Sequence, residues 1–168
     1  MILYPNAQFD KVEQITIEFL QKNKIKALIL DVDNTLIDYN RNMSENVVNW
    51  AKEMKGQGIK LYILSNTNHR EKVEEVAKIL EISYRNLAKK PLKSGFLKVR
   101  KELREKPENI GVVGDQIFTD ILGGNRCHMF TILVEPINEK DFWYTAWKRP
   151  IENKIKKKYK NQETKEKK

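Results

Sequence analysis

The chain has 168 residues, of which 40% are hydrophobic, 9% are aromatic and one, Cys127, is a cysteine. This length and composition indicate a globular protein of one domain, or of one domain plus an appendage. They exclude a disordered chain, a disulfide scaffold and a cysteine-only metal site. The formal net charge of +9 is uneven, because residues 148–168 hold ten Lys or Arg and three Glu, which leaves a nearly neutral body and a basic tail.

The body alternates apolar, strand-like runs with amphipathic helical stretches. Apolar residues at helical spacing predict a helix over residues 11–23, and a buried strand over residues 25–30 follows it. Ser44 is the predicted N-cap of a helix that ends near Gly56. The next apolar run predicts a strand over residues 59–64.

The second half of the chain continues this alternation. Strands separated by helices imply right-handed crossovers and a mainly parallel sheet with helices on both faces. We therefore expect a three-layer α/β fold. The elements predicted here are a helix through 73–80, a short strand at 82–84, a helix through 96–103, a strand at 110–113, a helix at 117–125 and a last strand at 129–134.

Three polar residues directly follow apolar runs that are predicted strands: Asp31, Ser65 and Asp115. Ligands of parallel α/β sheets bind beyond the carboxyl ends of the strands, so we expect these side chains to gather at one rim. Asp33 lies two residues after Asp31, and in extended chain both carboxylates can point the same way. An isolated Asp-x-Asp is weak evidence for a site, because Asp also simply terminates strands and opens turns, but each further polar residue at the rim weakens that purely structural interpretation.

Four short polar segments stand at the predicted strand ends or ahead of a predicted helix. They are Asp-Val-Asp-Asn-Thr at 31–35, Ser-Asn at 65–66, Lys-Lys-Pro at 89–91 and Gly-Asp-Gln-Ile-Phe-Thr-Asp at 114–120. In type and order they resemble the four motifs of the haloacid dehalogenase (HAD) superfamily in its phosphatase form. The longer strings are closer still to its YqeG-like (HAD IIIA) branch, which is related to mitochondrial phosphatidylglycerophosphate phosphatases. The resemblance implies a Rossmann-like three-layer HAD fold with a mainly parallel central sheet and no cap domain.

The resemblance also implies a role for individual residues. Asp31 would be the nucleophile that forms an aspartyl-phosphate, and Asp33 would protonate the leaving group and then activate water. Ser65 and one lysine would hold phosphoryl oxygens. Of the adjacent Lys89 and Lys90 only one can face the rim, and the similarity favours Lys90. The candidate substrate-binding residues are Asn66 and Thr35.

The cofactor implied by the resemblance is Mg²⁺. Asp31, Asp115 and the backbone carbonyl of Asp33 would hold the ion, with Asp120 as a further ligand or beside the ligands. Hard oxygen donors suit Mg²⁺, and the sequence offers no His or Cys cluster that would favour zinc.

The spacing of the motifs also bears on the substrate. The intervals between the first three motifs leave no room for a lid, so we expect an open site, which favours a phosphate presented on something larger than a metabolite. We keep three hypotheses. The first is hydrolysis of phosphatidylglycerophosphate at a membrane surface. The second is hydrolysis of a soluble phosphometabolite, phosphoprotein or nucleotide. The third is an RNA- or ribosome-associated binding protein with vestigial activity.

The C-terminal segment favours the first hypothesis. We predict a phosphatase domain over residues 1–147 and a basic tail over 148–168, with aromatic residues within 142–147 directly before the tail. Aromatics beside lysines suit peripheral contact with an anionic phospholipid surface, and nucleic acid is the less favoured partner. The alternative is that these aromatics pack on the body and the tail is solvated. We expect a cytoplasmic protein, peripheral on the inner membrane face in the first hypothesis; the sequence does not determine its oligomeric state.

Overall fold

The structure is a computed structural model that describes residues 2–138 and 152–160. Its centre is a six-stranded sheet in the order β1-β6-β5-β2-β3-β4, in which every pair of neighbouring strands is parallel. The predicted α/β fold with a parallel sheet is therefore confirmed. The strands are β1 (Ala7–Phe9), β2 (Ala27–Leu30), β3 (Lys60–Leu64), β4 (Ser83–Arg85), β5 (Ile110–Gly114) and β6 (Phe130–Val134).

Helices cover both faces of the sheet. Side chains alternate along each strand, so Leu28 and Leu30 of β2 pack on one face with α1, α2 and α3, whereas Ala27 and Ile29 pack on the other face with α4. The helix α5 lies beside α4. The helices are α1 (Ile17–Lys22), α2 (Glu45–Gly56), α3 (Arg70–Leu80), α4 (Lys93–Leu103), α5 (Leu122–Arg126) and α6 (residues 152–160).

The N-terminal region differs from the prediction. The single helix predicted over residues 11–23 is wrong, because a 3₁₀ turn at Val12–Gln14 is followed by extended backbone before α1 begins. A new helix begins after Thr16, because the Thr16 hydroxyl accepts a hydrogen bond from the Phe19 N–H at 3.1 Å and caps α1. The strand β1, which pairs with β6, was not predicted. By contrast, the predicted cap at Ser44 is confirmed by its bond from the Val47 N–H.

The sheet brings the polar strand ends together. β2 lies between β5 and β3, so the residues that follow these three strands meet at one rim. The Asp31 N–H donates to the Val113 carbonyl at 3.0 Å and extends this register by one residue. Residues 31–59 contribute one helix, α2, and the segment between β3 and β4 contributes α3; both belong to the layer that packs on the sheet. No helix within the described ranges is long and apolar enough to span a bilayer.

Candidate active site

Three carboxylates meet at the rim of the sheet. Asp31 follows β2, Asp115 follows β5 and Asp120 lies in the turn beyond, and one oxygen of each falls within 4.8 Å of the others. Asp115 and Asp120 are buried, and the Asp31 side chain is 12% exposed. Buried like charges at such separations need positive charge nearby, because each carboxylate raises the energy of its neighbours.

A change of helical geometry places Asp120 in this group. Residues Ile117–Ile121 form a π-helical turn that continues into α5, so the single helix predicted over residues 117–125 has a widened first turn. Gly114 makes room for the carboxylate: a Cβ at this position would overlap the side chain of Asp120. The Gln116 N–H donates to Asp120 Oδ2 at 3.4 Å and holds the turn over the end of β5.

Lys90 supplies a buried positive charge. Its ammonium lies 3.0 Å from Oδ1 of Asp31 and 2.7 Å from Oδ1 of Asp120, and it donates to the Leu64 carbonyl at 2.8 Å. The side chain is 3% exposed, whereas the adjacent Lys89 is exposed to solvent. Of the two lysines that the sequence left open, Lys90 is the one that the fold brings to the carboxylates.

Asn66 fixes the backbone of Lys90 from the neighbouring loop. Its side-chain oxygen accepts from the Lys90 N–H at 2.7 Å, and its amide nitrogen donates to the Lys90 carbonyl at 3.1 Å. Both polar ends of this side chain are thus engaged with the lysine. Contact between Asn66 and substrate stays a prediction, and what the structure adds is that Asn66 positions Lys90.

Ser65 and Thr35 are both buried at the rim. Ser65 directly follows β3, and its hydroxyl oxygen accepts from the Thr67 N–H at 3.3 Å, which leaves its own O–H able to donate. Thr35 lies in the tight loop after Asp33, and its Oγ1 has no hydrogen-bond partner among the described residues. Contact between either hydroxyl and a phosphate remains a prediction.

Asp33 stands at the mouth of the site. Its side chain is 50% exposed, and its Oδ1 accepts a hydrogen bond from the Lys72 ammonium at 2.7 Å. Lys72 belongs to α3 and was not singled out from the sequence, because it sits in a strongly charged helix with no local motif. Only the packing of α3 against the sheet shows that it reaches the loop after β2.

The charges of the site shift the pKa values of its groups. Burial raises the pKa of Asp31 to about 7, and repulsion from Asp120 adds to this effect although Lys90 opposes it. Burial likewise raises the pKa of Asp120 above its usual range. Burial lowers the pKa of Lys90, but attraction to Asp120 and Asp31 outweighs burial, so the net pKa lies above that of an ordinary lysine and the ammonium stays charged.

The donor set fits a hard divalent cation. Asp31, Asp115 and Asp120 offer carboxylate oxygens close enough to share one ion. Burial raises the pKa of Asp31 and of Asp120, and a cation held between these carboxylates would favour their ionised forms. The site therefore combines a candidate nucleophile, a fixed ammonium and a candidate metal cradle, the parts that phosphoryl transfer to a carboxylate requires.

Comparison with known sequences gives two matches that cover most of the chain. Residues 1–138 match the family described as mitochondrial PGP phosphatase. The chain is also 37% identical over 152 residues to the probable phosphatase YqeG of Bacillus subtilis (strain 168), a match that covers 90% of this chain and 88% of that protein.

Solved structures of bacterial proteins share this fold. An uncharacterized protein from Listeria monocytogenes serotype 4b has a TM-score of 0.57 at 20% identity, over 70% of this chain and 85% of that chain. The cobalt-bound form of deoxy-D-mannose-octulosonate 8-phosphate phosphatase from Haemophilus influenzae has a TM-score of 0.52 at 16% identity, over 67% of this chain and 69% of that chain. At these identities the likeness concerns the fold.

Proposed function

We propose that this chain, which belongs to the mitochondrial PGP phosphatase family within the HAD superfamily of phosphatases, hydrolyses the phosphate monoester of phosphatidylglycerophosphate at a membrane surface. The observation that carries the chemistry is the contact of Lys90 with Asp31 inside the three-carboxylate cluster. The family match over residues 1–138 is what favours this lipid over other phosphate monoesters.

The side chains have complementary roles in the proposed reaction. Asp31 attacks phosphorus and forms an aspartyl-phosphate, and Asp33, at the mouth, gives a proton to the leaving oxygen. Asp33 then accepts a proton from the water that hydrolyses the intermediate. Lys90 and the Ser65 hydroxyl hold phosphoryl oxygens and offset the charge that develops on them. Asn66 and Thr35 are the proposed substrate contacts beyond these groups.

The proposed resident ion is Mg²⁺. Asp31, Asp115 and Asp120 would hold it together with the backbone carbonyl of Asp33, since oxygen donors of this kind are those that Mg²⁺ prefers. When bound, the ion would supply positive charge that reduces the repulsion between an anionic nucleophile and an anionic phosphate.

Each interval between the first three motifs holds one helix that packs on the sheet, and this arrangement together with α6 supports a substrate presented on a surface. The Glu152 carboxylate at the start of α6 accepts from the Phe118 N–H at 3.5 Å, and Lys156 lies 3.7 Å from Glu135, so the helix is attached beside the turn that carries Asp120. Its outer face carries the exposed lysines Lys154, Lys157 and Lys158. Each such charge contributes about 1 kcal/mol near an anionic leaflet. The aromatic residues within 142–147 and the proposed boundary at 147/148 lie outside the described residues.

A cationic cavity next to the Lys90 loop supports a substrate with a second anionic group. The cavity has a volume of about 480 Å³ and is lined by the cations Arg70, Lys89 and Lys98, and by Arg85, whose guanidinium pairs with Glu102. Leu64 lines it too, and the carbonyl of this residue accepts from the Lys90 ammonium at 2.8 Å, so the cavity and the site share one residue. Phosphatidylglycerophosphate carries a phosphodiester one glycerol away from its monoester, and cations beside the site suit that diester.

The test is phosphate release from a panel of substrates by the native protein and by Asp31→Asn, with Mg²⁺ or with chelator. The panel holds phosphatidylglycerophosphate in anionic and in neutral vesicles, glycerol phosphate, a nucleotide and a phosphopeptide. We expect Mg²⁺-dependent turnover of the lipid, faster on anionic vesicles and lost in the variant. Efficient turnover of a soluble phosphate with the lipid ignored would favour the second hypothesis, and salt-sensitive RNA retention without hydrolysis the third.

A further inference from the structure

Lys72 reaches the mouth of the site from α3. Its ammonium lies 2.7 Å from Oδ1 of Asp33, and its side chain is 13% exposed whereas that of Asp33 is 50% exposed. The pair thus joins a largely desolvated lysine to a half-exposed carboxylate two residues from Asp31. Packing holds the lysine, so the ion pair constrains the carboxylate more than a pair of two exposed side chains would.

A nearby ion pair between α3 and the segment before α2 shows the contrast. Arg41 and Glu71 approach to 3.7 Å, with side chains that are 48% and 67% exposed. Such a pair has the geometry of a solvated surface contact and is expected to contribute little. The next residue along α3 is Lys72, which is far more covered and makes a shorter contact. The burial of Lys72 and its short contact with Asp33 therefore distinguish this pair from an ordinary surface ion pair.

We propose that Lys72 is a positioning residue for Asp33: its ammonium holds one carboxylate oxygen and thereby aims the other at the leaving oxygen of the substrate. The proposal rests on the proposed function, in which Asp33 transfers the proton. The backbone of Asp33 is bridged to Ile37, but the half-exposed side chain can still rotate and needs a partner to select one rotamer. Lys72 donates to Oδ1, which leaves Oδ2 as the oxygen available to transfer a proton.

Both half-reactions balance in bonds, protons and electron pairs. In the first, an Asp31 oxygen bonds to phosphorus, the bond from phosphorus to the leaving oxygen breaks, and that oxygen keeps the electron pair and takes the proton from Asp33 Oδ2. In the second, Oδ2 takes a proton from water as its oxygen bonds to phosphorus, and the bond from phosphorus to Asp31 breaks. Lys72 holds Oδ1 throughout, which keeps the transferring oxygen within reach of both the leaving oxygen and the water.

The experiment compares two leaving groups. A nitrophenolate leaves without help from an acid, whereas the alkoxide of phosphatidylglycerophosphate needs protonation. We expect Lys72→Met to lower kcat/KM, which reports the first half-reaction, by about 10- to 100-fold on phosphatidylglycerophosphate. On p-nitrophenyl phosphate kcat/KM should fall less than about threefold, since general acid catalysis of leaving-group departure matters only for the lipid. Lys72→Arg keeps a donor and should restore part of the loss. The matched control is Lys78→Met, which removes the charge of an exposed lysine from the same helix.

The possible outcomes distinguish the positioning role of Lys72 from the role of Asp33 as the acid in the proposed function. If Asp33→Asn shows the leaving-group dependence and Lys72→Met does not, Lys72 has no positioning role and the proposed function stands. If Asp33→Asn lowers kcat/KM equally for both substrates, the assignment of Asp33 as the acid fails, and the proposal for Lys72 fails with it. Equal losses of kcat/KM on both substrates in Lys72→Met, with an unchanged Tm, also overturn the proposal, because a general disturbance of the site would not distinguish leaving groups.

Discussion

The ammonium of Lys90 lies 3.0 Å from Oδ1 of Asp31 in a site where the lysine side chain is 3% exposed. The same ammonium contacts Asp120 at 2.7 Å, so one cation joins the proposed nucleophile to the proposed metal cradle. Removal of one partner of a buried ion pair leaves an uncompensated charge, which makes this contact a requirement for stability as well as for activity.

We expect Lys90→Met to lower kcat by about 10²- to 10³-fold, because a fixed donor to the phosphoryl group is lost. The free energy of unfolding should fall by about 3–5 kcal/mol, because two buried carboxylates lose their cation. Steady-state kinetics and urea denaturation measure these effects. The matched control is Lys89→Met at the adjacent exposed position, which should change neither quantity appreciably. Similar losses in both variants would show that the burial of Lys90 is not what matters.

The raised pKa of Asp31 predicts pH-dependent stabilisation by metal. Burial raises this pKa from 3.8 to about 7, so the folded protein binds the proton more tightly than the unfolded chain does. The contribution of Asp31 to the free energy of unfolding is therefore present at acid pH and is lost as the pH rises through about 7. A cation binds the ionised form, so the apparent affinity for Mg²⁺ should be about tenfold weaker at pH 6 than at pH 8.

Thermal unfolding with and without subsaturating Mg²⁺ measures this effect. We expect the rise in Tm on addition of Mg²⁺ to be larger at pH 8 than at pH 6, because stabilisation by a ligand follows its apparent affinity. Asp31→Asn, which removes the titrating group, should reduce the difference between the two pH values. An equal rise in Tm at both pH values in the native protein would contradict the prediction.

Gly114 is expected to be required for the carboxylate cluster. A Cβ at this position would overlap the Asp120 side chain, so Gly114→Ala should displace Asp120, abolish the rise in Tm on Mg²⁺ addition and lower activity by about 10²-fold or more. The control is Gly56→Ala near the end of α2, where no neighbour lies within 4 Å of an added Cβ. That change should raise stability by about 0.5–1 kcal/mol and leave activity unchanged. Retention of metal-dependent stabilisation in Gly114→Ala would mean that Asp120 is not needed.

The cationic cavity should affect substrates that carry a second anionic group. Lys89→Ala together with Lys98→Ala removes two of its charges, and we expect KM for phosphatidylglycerophosphate to rise about three- to tenfold, since exposed charges contribute modestly. KM for p-nitrophenyl phosphate should not change. Lys101→Ala, an exposed lysine of α4 that does not line the cavity, is the control. Equal changes in KM for both substrates would show that the cavity does not bind the second anionic group.

The sheet and the rim residues could be predicted from the sequence because their patterns are local. Buried apolar runs that end in Asp31, Ser65 or Asp115 mark strands of a parallel sheet directly, and strand order then brings their ends together. The N-terminal region could not be predicted as well. Residues 7–9 form a half-buried edge strand that needs β6 as its partner, and Thr16 interrupts a helical apolar pattern by capping a new helix.

The features of the site that could not be predicted from the sequence depend on contacts between distant segments of the chain. The choice between Lys89 and Lys90 depends on the loop conformation that Asn66 fixes from another strand end. The position of Asp120 depends on a π-helical turn, which has no recognisable sequence pattern of its own. Lys72 lies 39 residues beyond Asp33, so its contact becomes visible only once α3 is packed on the sheet.

The central claim is that Asp31 carries the phosphoryl group during turnover. Phosphatidylglycerophosphate with a labelled monoester is mixed with the protein and Mg²⁺, quenched in acid within the first turnover and digested, and the peptides are examined by mass spectrometry. We predict label on the peptide that contains Asp31 in the native protein, and none in Asp31→Asn or in the presence of chelator. Label on a different residue, or full activity in Asp31→Asn, would contradict the account.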